Sequence, residues 1–118
     1  MRDPKRINPT LDAIKSVWYL HPNMQFGQLL VAATGRDDPF YVEDDRLVEM
    51  LNNDFPAVET FEATNAKIEE VINVIREVWT KVPDWRLCQL AVNFSYNHGL
   101  KYISDDIFIH HLRKAGNN

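Results

Sequence analysis

The chain has 118 residues and a mass of 13.8 kDa, enough for one compact domain or two small ones and too little for a large multidomain enzyme. Hydrophobic residues make up 45% and charged residues 25%, with four Gly and six Pro, a balance that argues against disordered and fibrous architectures. The net charge of −4 is uneven: residues 1–62 carry six basic and eleven acidic residues, whereas residues 63–118 carry seven and six. No basic face of the kind that neutralises phosphates emerges, so direct nucleic-acid binding is not expected.

A membrane-spanning helix needs about 20 consecutive apolar residues. The longest apolar run, Leu29 to Ala33, has five. Residues 1–12 are mostly polar and lack the apolar region of a signal peptide, so a cytoplasmic location is the expectation. The one cysteine, Cys88, is read as a buried thiol acting as a small apolar side chain.

Shifted by 61 residues, the sequence aligns with itself without a gap, which predicts two copies of one structural unit. Eleven positions between Leu11 and Asn53 are identical to their counterparts: Ile14/Ile75, Val17/Val78, Trp18/Trp79, Pro22/Pro83, Gln28/Gln89, Leu29/Leu90, Val31/Val92, Tyr41/Tyr102, Asp44/Asp105, Asp45/Asp106 and Leu51/Leu112. The units span residues 1–53 and 64–118, joined by a linker at 54–63 whose Phe55, Val58 and Phe61 are expected to be pinned against one or both.

The first helix of each unit carries an apolar stripe, Leu11, Ile14, Val17 and Trp18 in one and Ile72, Ile75, Val78 and Trp79 in the other. Asn8-Pro9 reads as its start in the first unit, Thr64 as the N-cap of a helix over about residues 65 to 81 in the second, and Pro22 or Pro83 lies beyond its end. The second helix begins near Gln25 or Arg86 and closes at Gly35 or at Asn97-His98-Gly99. Gln28 and Gln89, set among apolar residues, read as buried amides bonded to the loops near Tyr41 and Tyr102. The third helix follows Tyr41-Val42-Glu43-Asp44-Asp45 or Tyr102-Ile103-Ser104-Asp105-Asp106, whose carboxylates suit the positive end of a helix. A unit of this size buries little core alone, so the two are expected to pack as a pseudo-twofold pair of three-helix units, about six helices in an all-α protein.

The second unit resembles the small bacterial YihD-like proteins. The likeness rests on Lys67-Ile68-Glu69-Glu70-Val71-Ile72, Val78-Trp79 with Pro83-Asp84, Leu87-Cys88-Gln89-Leu90 and Ser104-Asp105-Asp106-Ile107-Phe108-Ile109-His110-His111-Leu112. The first unit looks like a related pattern with a different connection before its Tyr and no His pair in its last helix. The resemblance implies a helical fold and a bacterial or phage source, and brings no activity with it.

The repeated Tyr-x-x-Asp-Asp could bind a divalent cation or share a proton, but helix capping accounts for it more simply: the first Asp accepts backbone N–H groups and the second sits in the first turn. Adjacent helical residues also diverge by about 100°, so both carboxylates would hardly meet on one ion. Asp106 and His110 share a helical face, yet a zinc site would want further ligands, and the pair His110 and His111 reads more simply as a helix-end His interacting with the C-terminal dipole. No phosphate loop, nucleophile triad or cofactor motif can be assembled.

Trp18 and Trp79 are expected in the core, Trp85 at the surface. The segment holding Asp37, Asp38, Glu43, Asp44, Asp45 and Glu49 against a single Arg46 is either a solvated face or a patch that docks on a basic surface. The reading that follows is a non-enzymatic module with a protein partner, using Asp37, Asp38, Tyr41, Glu43, Asp45, Glu49, Trp85, Tyr102 and Asp106. A narrower alternative is a phage-type inhibitor of a nuclease or host-defence complex. A metal-dependent enzyme would require Asp105, Asp106, His110 and His111 to converge in one cleft.

Overall fold

The computed structural model describes residues 3–53, 66–95 and 99–116, and these are helical with no strand. One 3-10 turn, Pro4–Arg6, leads into α1 (Ile7–Leu20), α2 (Phe26–Thr34), α3 (Asp44–Asn53), α4 (Ala66–Lys81), α5 (Leu87–Ser95) and α6 (Asp105–Gly116). None of these helices is long and apolar enough to cross a membrane. The linker, its Phe55, Val58 and Phe61, Thr64, and Asn97-His98 all lie outside the described residues.

Helix starts differ from the sequence reading in one place. Asp3, not Asn8, begins the first helical stretch: its carboxylate accepts the Lys5 N–H at 2.9 Å, and Pro4 takes the first position of the 3-10 turn. Pro9 then falls in the first turn of α1, where its missing N–H costs no intrahelical bond. At the other end the His21 N–H returns to the Trp18 carbonyl at 2.9 Å. Gly35 closes α2 at φ 68°, a left-handed conformation that a glycine adopts without strain, with its N–H on the Val31 carbonyl.

The centre of the molecule is the α1/α4 pair, with α3 packed on α1 and α6 on α4. Helices α2 and α5 complete the outside, resting on α3 and α6. Asn8, early in α1, accepts from Arg76 Nε at 2.9 Å, and Lys15, farther along α1, pairs at 3.5 Å with Glu69, early in α4. The two helices therefore run antiparallel. Tyr19 adds a hydroxyl hydrogen bond to Glu69 on the same seam.

Both apolar stripes meet in one core, to which Leu11, Ile14, Trp18, Ile72, Ile75 and Trp79 all contribute fully buried side chains. Each indole also has its polar edge satisfied: Trp18 Nε1 donates to the Met24 carbonyl and Trp79 Nε1 to the Trp85 carbonyl, both at 2.8 Å. Phe26 stands between Trp18, at 5.7 Å centroid to centroid, and Phe108 of α6, at 5.4 Å. Truncating a core aromatic of this kind costs about 3 to 5 kcal/mol. Cys88 is wholly buried, and loss of water pushes its thiol up to about 12, so it packs as an apolar group.

Candidate interaction surface

Helices that begin after Gln25 and Arg86 lack the usual Ser, Thr, Asp or Asn at the N-cap. Their first N–H groups are satisfied from a distance. Phe26 N–H donates to Asp105 Oδ1 at 2.7 Å, and Leu87 N–H donates to Asp44 Oδ1 at 2.8 Å. The capping role expected for these aspartates holds in kind and is redirected in target: each stands at the start of its own helix and caps a helix from the other half of the chain. Gln25 joins in, its Oε1 accepting the Asp105 N–H at 2.6 Å.

Asp44 and Asp105 are only 4% and 3% exposed. Burial pushes both carboxyls above the ordinary aspartate range, and the N–H groups of Leu87 and Phe26 draw them partly back. Asp44 is further steadied by Arg6, whose Nε lies 2.7 Å from Oδ2. The same guanidinium donates to the Trp85 carbonyl at 2.6 Å and sits 5.3 Å from the Trp79 ring centre, tying the N-terminal turn to the second half.

Gln28 and Gln89 correct another expectation. Gln28 is exposed and Gln89 half-buried; their side-chain oxygens accept from Gln25 N–H at 3.4 Å and Arg86 N–H at 3.2 Å. They are polar partners at the starts of their own helices, not buried links to the Tyr loops.

The acidic segment is almost wholly at the surface. Asp37, Asp38, Glu43, Asp45 and Glu49 are exposed, and among its six carboxylates only Asp44 is buried. Asp38 Oδ1 accepts the Phe40 N–H at 3.2 Å, and Glu49 pairs with Arg46 at 2.8 Å. Glu43 and Asp45 line one side of a groove of about 400 Å³ whose other walls include Asp3, Arg6, Pro9 and Thr10.

Tyr41 and Tyr102 are 79% and 81% exposed, far beyond what a packing role requires. The Arg86 guanidinium lies 5.5 Å from the Tyr41 ring centre and 5.4 Å from that of Phe40, and its Nε donates to the Phe40 carbonyl at 3.1 Å. Tyr102 has Lys101 Nζ at 5.8 Å. It also lines a hollow of about 200 Å³ with Gly99, Leu100, Lys101 and Asp37, so the acidic segment and the second Tyr turn adjoin.

Trp85 is half-buried, its ring 6.2 Å from Phe94, which replaces the expected surface tryptophan by one at the edge of the core. Asp106 is exposed and pairs with Lys67 at 3.3 Å. His111 Nδ1 lies 2.8 Å from the Phe94 carbonyl in the last turn of α5, while His110 is exposed. Asp105 is engaged with Phe26, and among the described residues no three His, Cys, Asp or Glu side chains come together as a metal would need.

Arg6, Gln25 and Arg86 have structural roles that the sequence pattern does not announce, Gln25 and Arg86 reading there only as helix starts. A signal existed for two of them, since positions 25 and 86 open helices without an ordinary N-cap residue. No protein-family model, curated protein or solved structure matches the chain.

Proposed function

We propose that this protein is a non-enzymatic interaction module of two related three-helix units packed as a pseudo-twofold pair, which docks through its acidic face on a basic surface of a protein partner. Support for the paired units comes from contacts that recur 61 residues apart. Phe26 to Asp105 has its counterpart in Leu87 to Asp44, and Lys15 to Glu69 has its counterpart in Arg76 to Asn8. The YihD-like kinship of the units is part of this proposal and rests on the sequence pattern alone.

The observation that carries the docking reading is the exposure of five carboxylates between Asp37 and Glu49, of which Asp37 borders the same hollow as the exposed Tyr102. A folded chain has no need to leave two tyrosines so open, and clustered negative charge speeds encounter with a basic partner. Such a face also competes with phosphate for a basic channel, the narrower form of the proposal being an inhibitor of a nuclease or host-defence complex.

Affinity capture from a bacterial lysate tests it, comparing the native chain with a variant charge-reversed at Asp37, Asp38 and Glu43. The expected result is a basic protein held at low salt, released as salt rises, and not held by the variant. Retention that ignores both salt and charge reversal would sink the acidic-face reading.

A further inference from the structure

The turns that carry Tyr41 and Tyr102 are counterparts in the two halves, and they differ in what sits on them. At the first, Arg86 reaches across from the start of α5, places its guanidinium within 5.5 Å of two aromatic rings and donates to the Phe40 carbonyl. This is a complete arginine seat made within the chain: ring faces for the planar cation and a carbonyl for its N–H groups.

At the second turn the position equivalent to Arg86 is Gln25, and its side chain is spent on the Asp105 N–H. No guanidinium is therefore delivered from that helix start. Beside Tyr102 there is instead a hollow of about 200 Å³, walled by Leu100 and Gly99 and bordered by the carboxylate-bearing Asp37. The only cation set over the ring among the described contacts is the flexible, strongly hydrated ammonium of Lys101, at 5.8 Å.

We propose that this hollow is a seat for one arginine side chain of the partner protein, its guanidinium stacked on Tyr102 and paired with Asp37. The inference rests on the acidic-face reading above and narrows it to a residue type and a place. A hollow of this size accepts a single long side chain. The open ring supplies the cation-binding face, and Asp37 supplies the charge that a planar fork can grip with two N–H groups. Lys101 acts as the occupant that an incoming arginine displaces.

The test is a nuclear magnetic resonance titration of the full-length, isotopically labelled protein at low salt with a Gly-Arg-Gly repeat peptide and, separately, a Gly-Lys-Gly peptide of equal length. The expected result is shift changes centred on Asp37 and Gly99 to Tyr102, with the arginine peptide binding more tightly. Because Tyr102 is exposed, substitutions there spare the fold: Tyr102→Leu should weaken the arginine peptide about fivefold, and Tyr102→Phe should leave it nearly unchanged. Asp37→Asn should weaken it about threefold.

Shifts confined to Glu43, Asp45 and Glu49 would overturn the arginine seat and leave the acidic-face reading standing. Equal affinity for the lysine peptide would likewise overturn the guanidinium assignment. No binding of either peptide at low salt would overturn both.

Discussion

Removing the Asp105 carboxylate leaves the buried Phe26 N–H without its acceptor inside the protein. An orphaned buried donor costs about 1 to 3 kcal/mol, so Asp105→Ala should lower stability by that much at neutral pH, whereas Asp105→Asn keeps an oxygen in place and should cost less than half as much. The pH dependence of the two separates charge from hydrogen bonding. Burial raises the folded carboxyl above its unfolded value, so the folded chain holds this proton more tightly. Its stabilising contribution is full below the unfolded pKa and is lost as pH rises through the folded one. Urea midpoints should therefore fall less steeply for Asp105→Asn than for the native chain from about pH 4 towards neutrality. Equal slopes would show that the carboxyl is not raised. Glu69, held low by the Tyr19 hydroxyl, acts in the opposite sense and is unchanged in the comparison. At this scale the sequence told that Asp44 and Asp105 were caps, because acidic residues before an apolar run announce a helix start. It was silent on which helix they cap, since the acceptor and donor are 43 and 79 residues apart and no local pattern spans that distance.

Within the elements, α2 carries a glycine for a reason that only its neighbour explains. A Cβ placed on Gly27 would lie 2.0 Å from the Leu100 carbonyl oxygen, a backbone atom that cannot swing aside. Alanine in an unobstructed helix is favoured over glycine by about 1 kcal/mol. Here the sign reverses: Gly27→Ala should destabilise by about 1 to 3 kcal/mol through overpacking, measured as a lower thermal midpoint with the helix content of the native state retained. A gain in midpoint would mean that α2 can stand off from the turn at Leu100. The six helices themselves were legible, since their apolar stripes repeat with helical period and Gly35 marks an end. Misread details share one cause. Residue type and local spacing alone speak for Asn8, Gln28 and Gln89, while Asp3 already starts the first turn and the glutamines are drawn to backbone N–H groups three positions earlier.

Across the whole molecule, the seams among the described residues join the two halves of the chain. Arg6 touches Asp44, Trp85 and Trp79; Phe26 stacks on Phe108; the α1/α4 pair lies at the centre. Neither half can loosen without stripping caps and apolar contacts from the other, so the described helices should unfold in one transition. Variants with Trp18→Phe or Trp79→Phe, each leaving a different buried indole as a reporter beside Trp85, should give fluorescence midpoints that coincide with the loss of helix by circular dichroism. Separate midpoints would show two independently stable units. The exposed carboxylates of Asp37, Asp38, Glu43, Asp45 and Glu49 lie outside these contacts, so their charge could be read from the sequence while their exposure, and the nearness of Asp37 to Tyr102, had to come from the fold. The interlocked caps also set an order of events during synthesis. When the ribosome has released the first fifty residues, α2 has its sequence and its C-terminal glycine but not the carboxylate that completes its beginning. That group, at position 105, comes 79 residues after the N–H that it caps, so the earlier half must wait, incompletely organised, until residue 105 has emerged before it can settle.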